Sequence, residues 1–431
     1  VKHKIKIIIL ALLLPVALVA FGSTTNREVF VTNVNDSIAS QAGGFFGTSA
    51  SITENLSEQI KTAVDLLKNS EPLDIVYANT SQIRASQIQE EPLRQQIALA
   101  ILEVPTGKIF EERYWLDRAE IIEANELRKK YQNDPNLPEF LPANPDNRLT
   151  VTNNWWNSFN SDLKISNPDK PNRNYIVLAN KYIWENENIV FESDITHAGR
   201  FSDIIYVPYS ASIHTPEIVA LGREALDTHV KKAFQYLSER QVQSLAFPGK
   251  PVAETLTPEF IKTIITIEHT DPLLFFSASE TGRSQLAQRV LIRLGTNGPD
   301  AFRFTVSKTG AAGIAQIQPT TYDAIVQTYP QAELEEDTDS GRANLLNSII
   351  ASILVFDDHL ATVFRGMDAT ERQLFDQKVV ENTEFIELVR AAIYNGGPSK
   401  IDRPTATIKT SNNETFGFIQ KYQAIKALDL L

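Results

Sequence analysis

The chain has 431 residues, 42% of them hydrophobic and 22% charged, with a formal net charge of −12. This composition excludes wholesale disorder and is long enough for two or three domains, while the acidic balance leaves no basic surplus to neutralise phosphates and argues against a nucleic-acid partner. Cysteine is absent, which excludes disulfides, thiolate zinc sites, iron–sulfur clusters and cysteine nucleophiles.

The first stretch, "VKHKIKIIILALLLPVALVAFGS", has three lysines, an apolar run from Ile7 to Phe21, and small residues at Ala20 and Gly22. It predicts an export signal over residues 1–23 and hence a periplasmic or cell-envelope location. Left uncleaved, the same segment would be a membrane anchor. Residues 24–50 are small and polar and read as a tether. Ile60, Ala63, Val64 and Leu67 recur at helical spacing and predict a helix over 52–68. The pattern is then mixed up to Lys130, and "YQNDPNLPEFLPANPDNR" (131–148) reads as a Pro/Asn-rich linker. Residues 175–194 and 201–210 are rich in β-branched and aromatic residues and predict strands, with "ENEN" as a hairpin loop.

From Thr215 the texture is helical. "TPEIVALGREALDTHVKKAFQYLSER" opens with a Thr cap and Pro at the first helical position, and "TPEFIKTIITIEHTDP" (257–272) repeats that opening. Further helices are expected over 343–360, 383–398 and 412–428. The chain therefore reads as an α+β multidomain protein. A tethered, mixed region spans 24–140 and a small β-rich region spans 149–211, both of unassigned fold. A mainly α domain spans 212–431.

Three stretches of that last domain carry chemistry. Glu268 ends an apolar helix and lies on or beside the face set by Ile264 and Ile265. Burial would raise its pKa and suit it to general acid catalysis, and the negative end of the helix also favours the neutral form. Asp271–Pro272 is expected to stop the helix there. The second stretch is "SKTGAAGIAQIQPTTY" (307–322). Gly310 and Gly313 permit close backbone approach, and Gln316 and Gln318 could present amides to a polar, uncharged ligand such as a sugar. The third is "AAIYNGGPSK" (391–400), where Tyr394 and Asn395 stand at a helix end fixed by Gly and Pro. Singly, each is also explained as a helix stop or a flexible loop.

Taken together and in this order, the three stretches resemble the lytic transglycosylase family, bacterial lysozyme-like enzymes that cut peptidoglycan. The loop from Ser307 to Gln316 with Pro319 and Thr321, the later Tyr394-Asn395-Gly396-Gly397-Pro398, and the closing Glu414-Thr415 carry the resemblance, which covers about residues 215–425. It implies a lysozyme-like C-terminal domain. It implies Glu268 as the single catalytic acid and base, with Ser307, Gly313, Gln316, Tyr394 and Asn395 binding substrate and Tyr394 hydrogen-bonding or orienting the glutamate. Its partner would be the peptidoglycan glycan strand. The bond cut would be the β-1,4 linkage between N-acetylmuramic acid and N-acetylglucosamine, with a 1,6-anhydro product. Alternatives are a hydrolysing muramidase of the same fold and a silent wall-binding protein.

The chain departs from the family pattern in four ways. His269 replaces the usual serine after the glutamate, Ile314–Ala315 replaces Leu-Met, and Ile393 replaces an alanine before the tyrosine. The 39 positions between Glu268 and Ser307 leave room for an inserted helix or lid over 272–306. That insertion holds Glu280, the rival acid, in a polar "SASETGRS" loop. No histidines pair at metal-ligand spacing, so neither metal nor cofactor is expected. Trp155–Trp156 reads as buried anchors or a sugar-stacking pair, and "ELEEDTDS" (333–340) as a solvated loop.

Overall fold

The computed structural model describes residues 55–77, 92–131, 137–185, 195–197, 201–307, 309–410 and 413–431. The segments expected as export signal and tether, and the "ENEN" turn beyond Glu185, lie outside them. Helix α1 (Leu56–Lys68) leads into β1 (Ile75–Tyr77), β2 (Pro92–Glu103) and β3 (Lys108–Asp117). Then come α2 (Arg118–Tyr131), β4 (Leu141–Pro142), β5 (Thr150–Trp155), β6 (Asp162–Ser166), β7 (Tyr175–Glu185), β8 (Ile195–His197) and β9 (Phe201–Tyr206). Seven of these strands form one antiparallel sheet in the order β4-β3-β2-β7-β9-β8, with β1 also on β2. Strands β5 and β6 make a separate hairpin.

The sheet is buried on both faces. Along β2, Ala98, Ala100 and Leu102 join one core with Leu56, Ile60, Ala63 and Leu67 of α1. Ile97, Leu99 and Ile101 join another with Ile121 and Ala124 of α2 and the β5–β6 hairpin. The regions expected on either side of the 131–148 linker thus share one sheet, because β2 pairs with β7 and Leu141–Pro142 of the linker pairs with β3. Trp156 is buried and donates to Asn125 Oδ1 at 2.9 Å, while Trp155 stays 38% exposed.

The helical half contains α3 (Pro216–Glu239), α4 (Pro258–Glu268), α5 (Pro272–Ser277), α6 (Glu280–Asn297), α7 (Pro319–Thr328) and α8 (Thr338–Ala343). It continues with α9 (Leu345–Arg365), α10 (Ala369–Glu381), α11 (Phe385–Gly396), a β10–β11 pair (Ile401–Asp402 and Thr407–Ile408) and α12 (Asn413–Ala427). Thr215 and Thr257 cap α3 and α4 as expected, accepting from Ile218 N and Phe260 N. The Asp271–Pro272 pair does not stop α4. That helix has already ended at Glu268, and Asp271 caps α5 by accepting from Leu273 N and Leu274 N. Part of the expected acidic loop is likewise helical, with Asp337 capping α8.

The insertion after Glu268 is a splice between the halves. Helix α6 crosses α3 at glycines: a Cβ on Gly222 would meet Leu291 O at 1.8 Å, and one on Gly295 would meet Ile218 O at 2.7 Å. At its far end Asn297 exchanges two hydrogen bonds with the backbone of Val207. Phe304 then inserts among Phe159, Trp184 and Tyr206 of the sheet side. Gly222→Ala is expected to lower stability by about 3 kcal/mol, because backbone rather than a mobile side chain must give way. The urea midpoint at constant m-value checks this.

Candidate active site

Helix α4 is buried from Phe260 through Ile267, polar positions included, so it runs through the middle of the helical half instead of showing one wet face. Its last residue, Glu268, is partly exposed, and its carboxyl makes no hydrogen bond or ion pair with any described residue. Burial pushes its pKa up to about 7. Lys421 pulls against that shift and Glu414 adds to it. A carboxyl held in this way keeps its proton near neutral pH and can give it to a leaving group.

Residues 305–307 and 309–318 form a compact turn against the end of α4. Ser307 Oγ accepts from Ala311 N at 3.0 Å, Gly313 N donates to Thr305 O at 3.0 Å, and Ala312 and Ile317 bond reciprocally. Gly310 (φ +87°), Gly313 (φ +73°) and Gln316 (φ +50°) adopt left-handed backbone. Gly313 lies against Arg342, whose carbonyl oxygen a Cβ would meet at 1.8 Å. The buried Arg342 guanidinium also clamps the turn, donating to Gly310 O at 2.5 Å and Ile317 O at 3.1 Å while pairing with Asp339 at 2.6 Å.

The three stretches singled out in the sequence converge here. His269, next to Glu268, donates from Nε2 to Ile314 O at 2.8 Å. The Tyr394 hydroxyl donates to the next carbonyl, Ala315 O. Two consecutive loop carbonyls are therefore held, one from the end of α4 and one from the end of α11. Asn395 Oδ1 accepts from Thr415 Oγ1 at 3.3 Å, which brings in the first turn of α12. The Tyr394 ring stacks on Phe356 at 4.4 Å, and its pKa is raised by burial and by the neighbouring Glu268.

Some roles differ from those expected. Tyr394 reaches the loop rather than hydrogen-bonding Glu268, so it fixes the wall of the site. The Gln316 amide nitrogen is committed to Gly313 O at 2.8 Å, inside the loop. Glu280 is exposed in the first turn of α6, a helix rather than a loop. His269 stacks on Phe302 at 4.0 Å, and burial, reinforced by Arg293, pushes its pKa down to about 3. It stays neutral and acts as a tie. Among the described residues no His/Asp/Glu group could hold a metal ion.

Sequence reasoning missed Arg293, Arg342 and Lys421. Arg293 lies 4.2 Å over the Phe302 ring and donates to Tyr206 OH at 2.9 Å and Thr305 Oγ1 at 3.2 Å. Lys421 stands beside the buried Phe418, Tyr422 and Ile425 at helical spacing, but so does Lys426, which lies over the Tyr422 ring, so the sequence does not single it out. Protein-family models, curated proteins and solved structures give no match to this chain.

Two outcomes follow from this geometry. The folded-state pKa of Glu268 lies above its ordinary value of 4.5. Its contribution is fully present below pH 4.5, where both states are protonated, and is lost as pH rises through about 7, because the unfolded chain ionises first. Glu268→Gln escapes that loss. It is expected to be more stable than wild type at pH 8, by at most about 3 kcal/mol, and nearly equal at pH 4; denaturant titrations at the two pH values check it. Gly313→Ala is expected to loosen the loop, so that the Gly313 and Ile317 amides exchange with deuterium at least about tenfold faster. Hydrogen-exchange NMR reads this directly.

Proposed function

We propose that this chain is an exported lytic transglycosylase of peptidoglycan, with its helical half acting as a lysozyme-like catalytic domain. The observation that carries this reading is the Glu268 carboxyl. It is raised to about 7, free of hydrogen bonds to the described residues, and set where the α4 end, the glycine loop and the Tyr394–Asn395 turn meet.

One carboxyl is enough for this reaction. Glu268 protonates the glycosidic oxygen, and the C1–O bond breaks with its electron pair going to the departing N-acetylglucosamine. The substrate's own N-acetyl oxygen stabilises the charge at C1, as in substrate-assisted glycosidases. The Glu268 carboxylate then takes the proton from the muramoyl 6-hydroxyl as that oxygen bonds to C1. The ring closes, Glu268 regains its proton and no water is consumed. Ser307 and Asn395 border the sugar path, and Gly313, Gln316 and Tyr394 hold its wall.

The second reading, a hydrolysing muramidase, draws on Glu414, whose charge bears on Glu268 from the first turn of α12. It would activate a water in place of the 6-hydroxyl. Mass spectrometry of digested peptidoglycan separates the two. Chains ending in anhydromuramic acid, one water lighter than reducing ends, are expected. Glu268→Gln is expected to lower their rate of release about a thousandfold. Activity is expected to fall as pH rises through about 7, where Glu268 loses its proton. Reducing ends would make the protein a muramidase, and no products from folded protein would leave only wall binding.

A further inference from the structure

Lys421 is 6% exposed on the apolar face of α12. Its ammonium does not pair with a carboxylate among the described residues. It donates instead to Ile267 O at 2.8 Å and to Thr270 O at 2.6 Å. These two carbonyls bracket Glu268 in the chain: Ile267 O also accepts from Thr270 N at 3.2 Å, and Thr270 O lies in the turn just past the end of α4.

We propose that Lys421 is a positioning residue for Glu268: it clamps the turn that carries the carboxyl and holds a positive charge near it without hydrogen-bonding it. The proposal rests on the reading of Glu268 as the acid. A direct ion pair would favour the carboxylate and deprive the site of its proton. With no cation at all, burial, the negative end of α4 and Glu414 would hold the proton too tightly to release it. Committing the ammonium to backbone carbonyls avoids both outcomes.

Other charged or titratable groups around the pair are Glu414 on α12, Asp271 at the start of α5, Tyr394 on α11 and neutral His269 with Arg293 of α6 behind it. Of these, Lys421 is the cation that bears on Glu268, and burial brings its own pKa down to about 8, with Glu268 and Asp271 pulling it back up.

The test is a carbon-13 titration of the Glu268 carboxyl in the full chain, assigned by its loss in Glu268→Gln, beside the pH profile of anhydro-product release. In Lys421→Met the Glu268 midpoint is expected to move up by about one pH unit or more, and the alkaline limb of activity with it. Lys421→Arg is expected to restore the midpoint and to erase the second inflection near pH 8 where Lys421 gives up its proton. An unchanged midpoint in Lys421→Met overturns the proposal. If that variant does not fold, an inflection near pH 8 that persists in Lys421→Arg overturns it instead. Shifted midpoints without anhydro products from wild type would leave the positioning role standing and remove the transglycosylase reading. Products with unmoved midpoints would do the reverse.

Discussion

A carboxyl at the negative end of a helix buried on every side is the constraint to which the helical half answers. Helix α4 is buried from Phe260 through Ile267, and the acidic side chain that follows is only partly exposed, so it is largely withdrawn from bulk water. The carbonyls around this helix end and the carboxyl would both be stabilised by partners from elsewhere in the chain. The carbonyls find one in Lys421. The carboxyl finds none among the described residues, and on the proposed reading that asymmetry is what gives it chemical use.

The surroundings supply rigidity without supplying a partner. The loop facing Glu268 is pinned through its own backbone: Arg342 from behind, His269 and Tyr394 on consecutive carbonyls, and the Thr305 carbonyl at its base. Arg342 is buried and His269 and Tyr394 are stacked on Phe302 and Phe356, so the loop has few alternative conformations to lose when a ligand arrives. A ligand entering here would meet a surface already shaped.

Much of this was legible before any coordinates. The Thr-Pro openings of α3 and α4 have a local mechanism, and the structure has both caps. The segments around Glu268, Gly313 and Tyr394 announced themselves because glycines, prolines and a lone acid on an apolar stripe are local signals. What stayed hidden depends on distant partners or on missing contrast. Strand β2 is buried on both faces, so "ALAIL" shows no alternation to read. Helix α10 buries only Phe375 and so has no apolar stripe, although its Asp368–Glu371 capping box was visible in principle. The linker's prolines mark a break in regular structure, but composition does not say that Leu141 and Pro142 return to the sheet. Lys421 meets Ile267 across 154 positions, and nothing local tells a lysine on an apolar stripe which carbonyls it will find.

The short stretch from Phe302 to Thr305 touches both halves of the molecule. Phe302 lies between Arg293 and His269, Phe304 is lodged in the aromatic cluster of the sheet, and Thr305 carries the glycine loop on its carbonyl. A tug on the sheet therefore arrives at the loop within one residue of Phe304, with no hinge between to absorb it. Displacement of the sheet and geometry at Glu268 are thus not independent variables. Tension is a quantity to which this fold gives the site direct access.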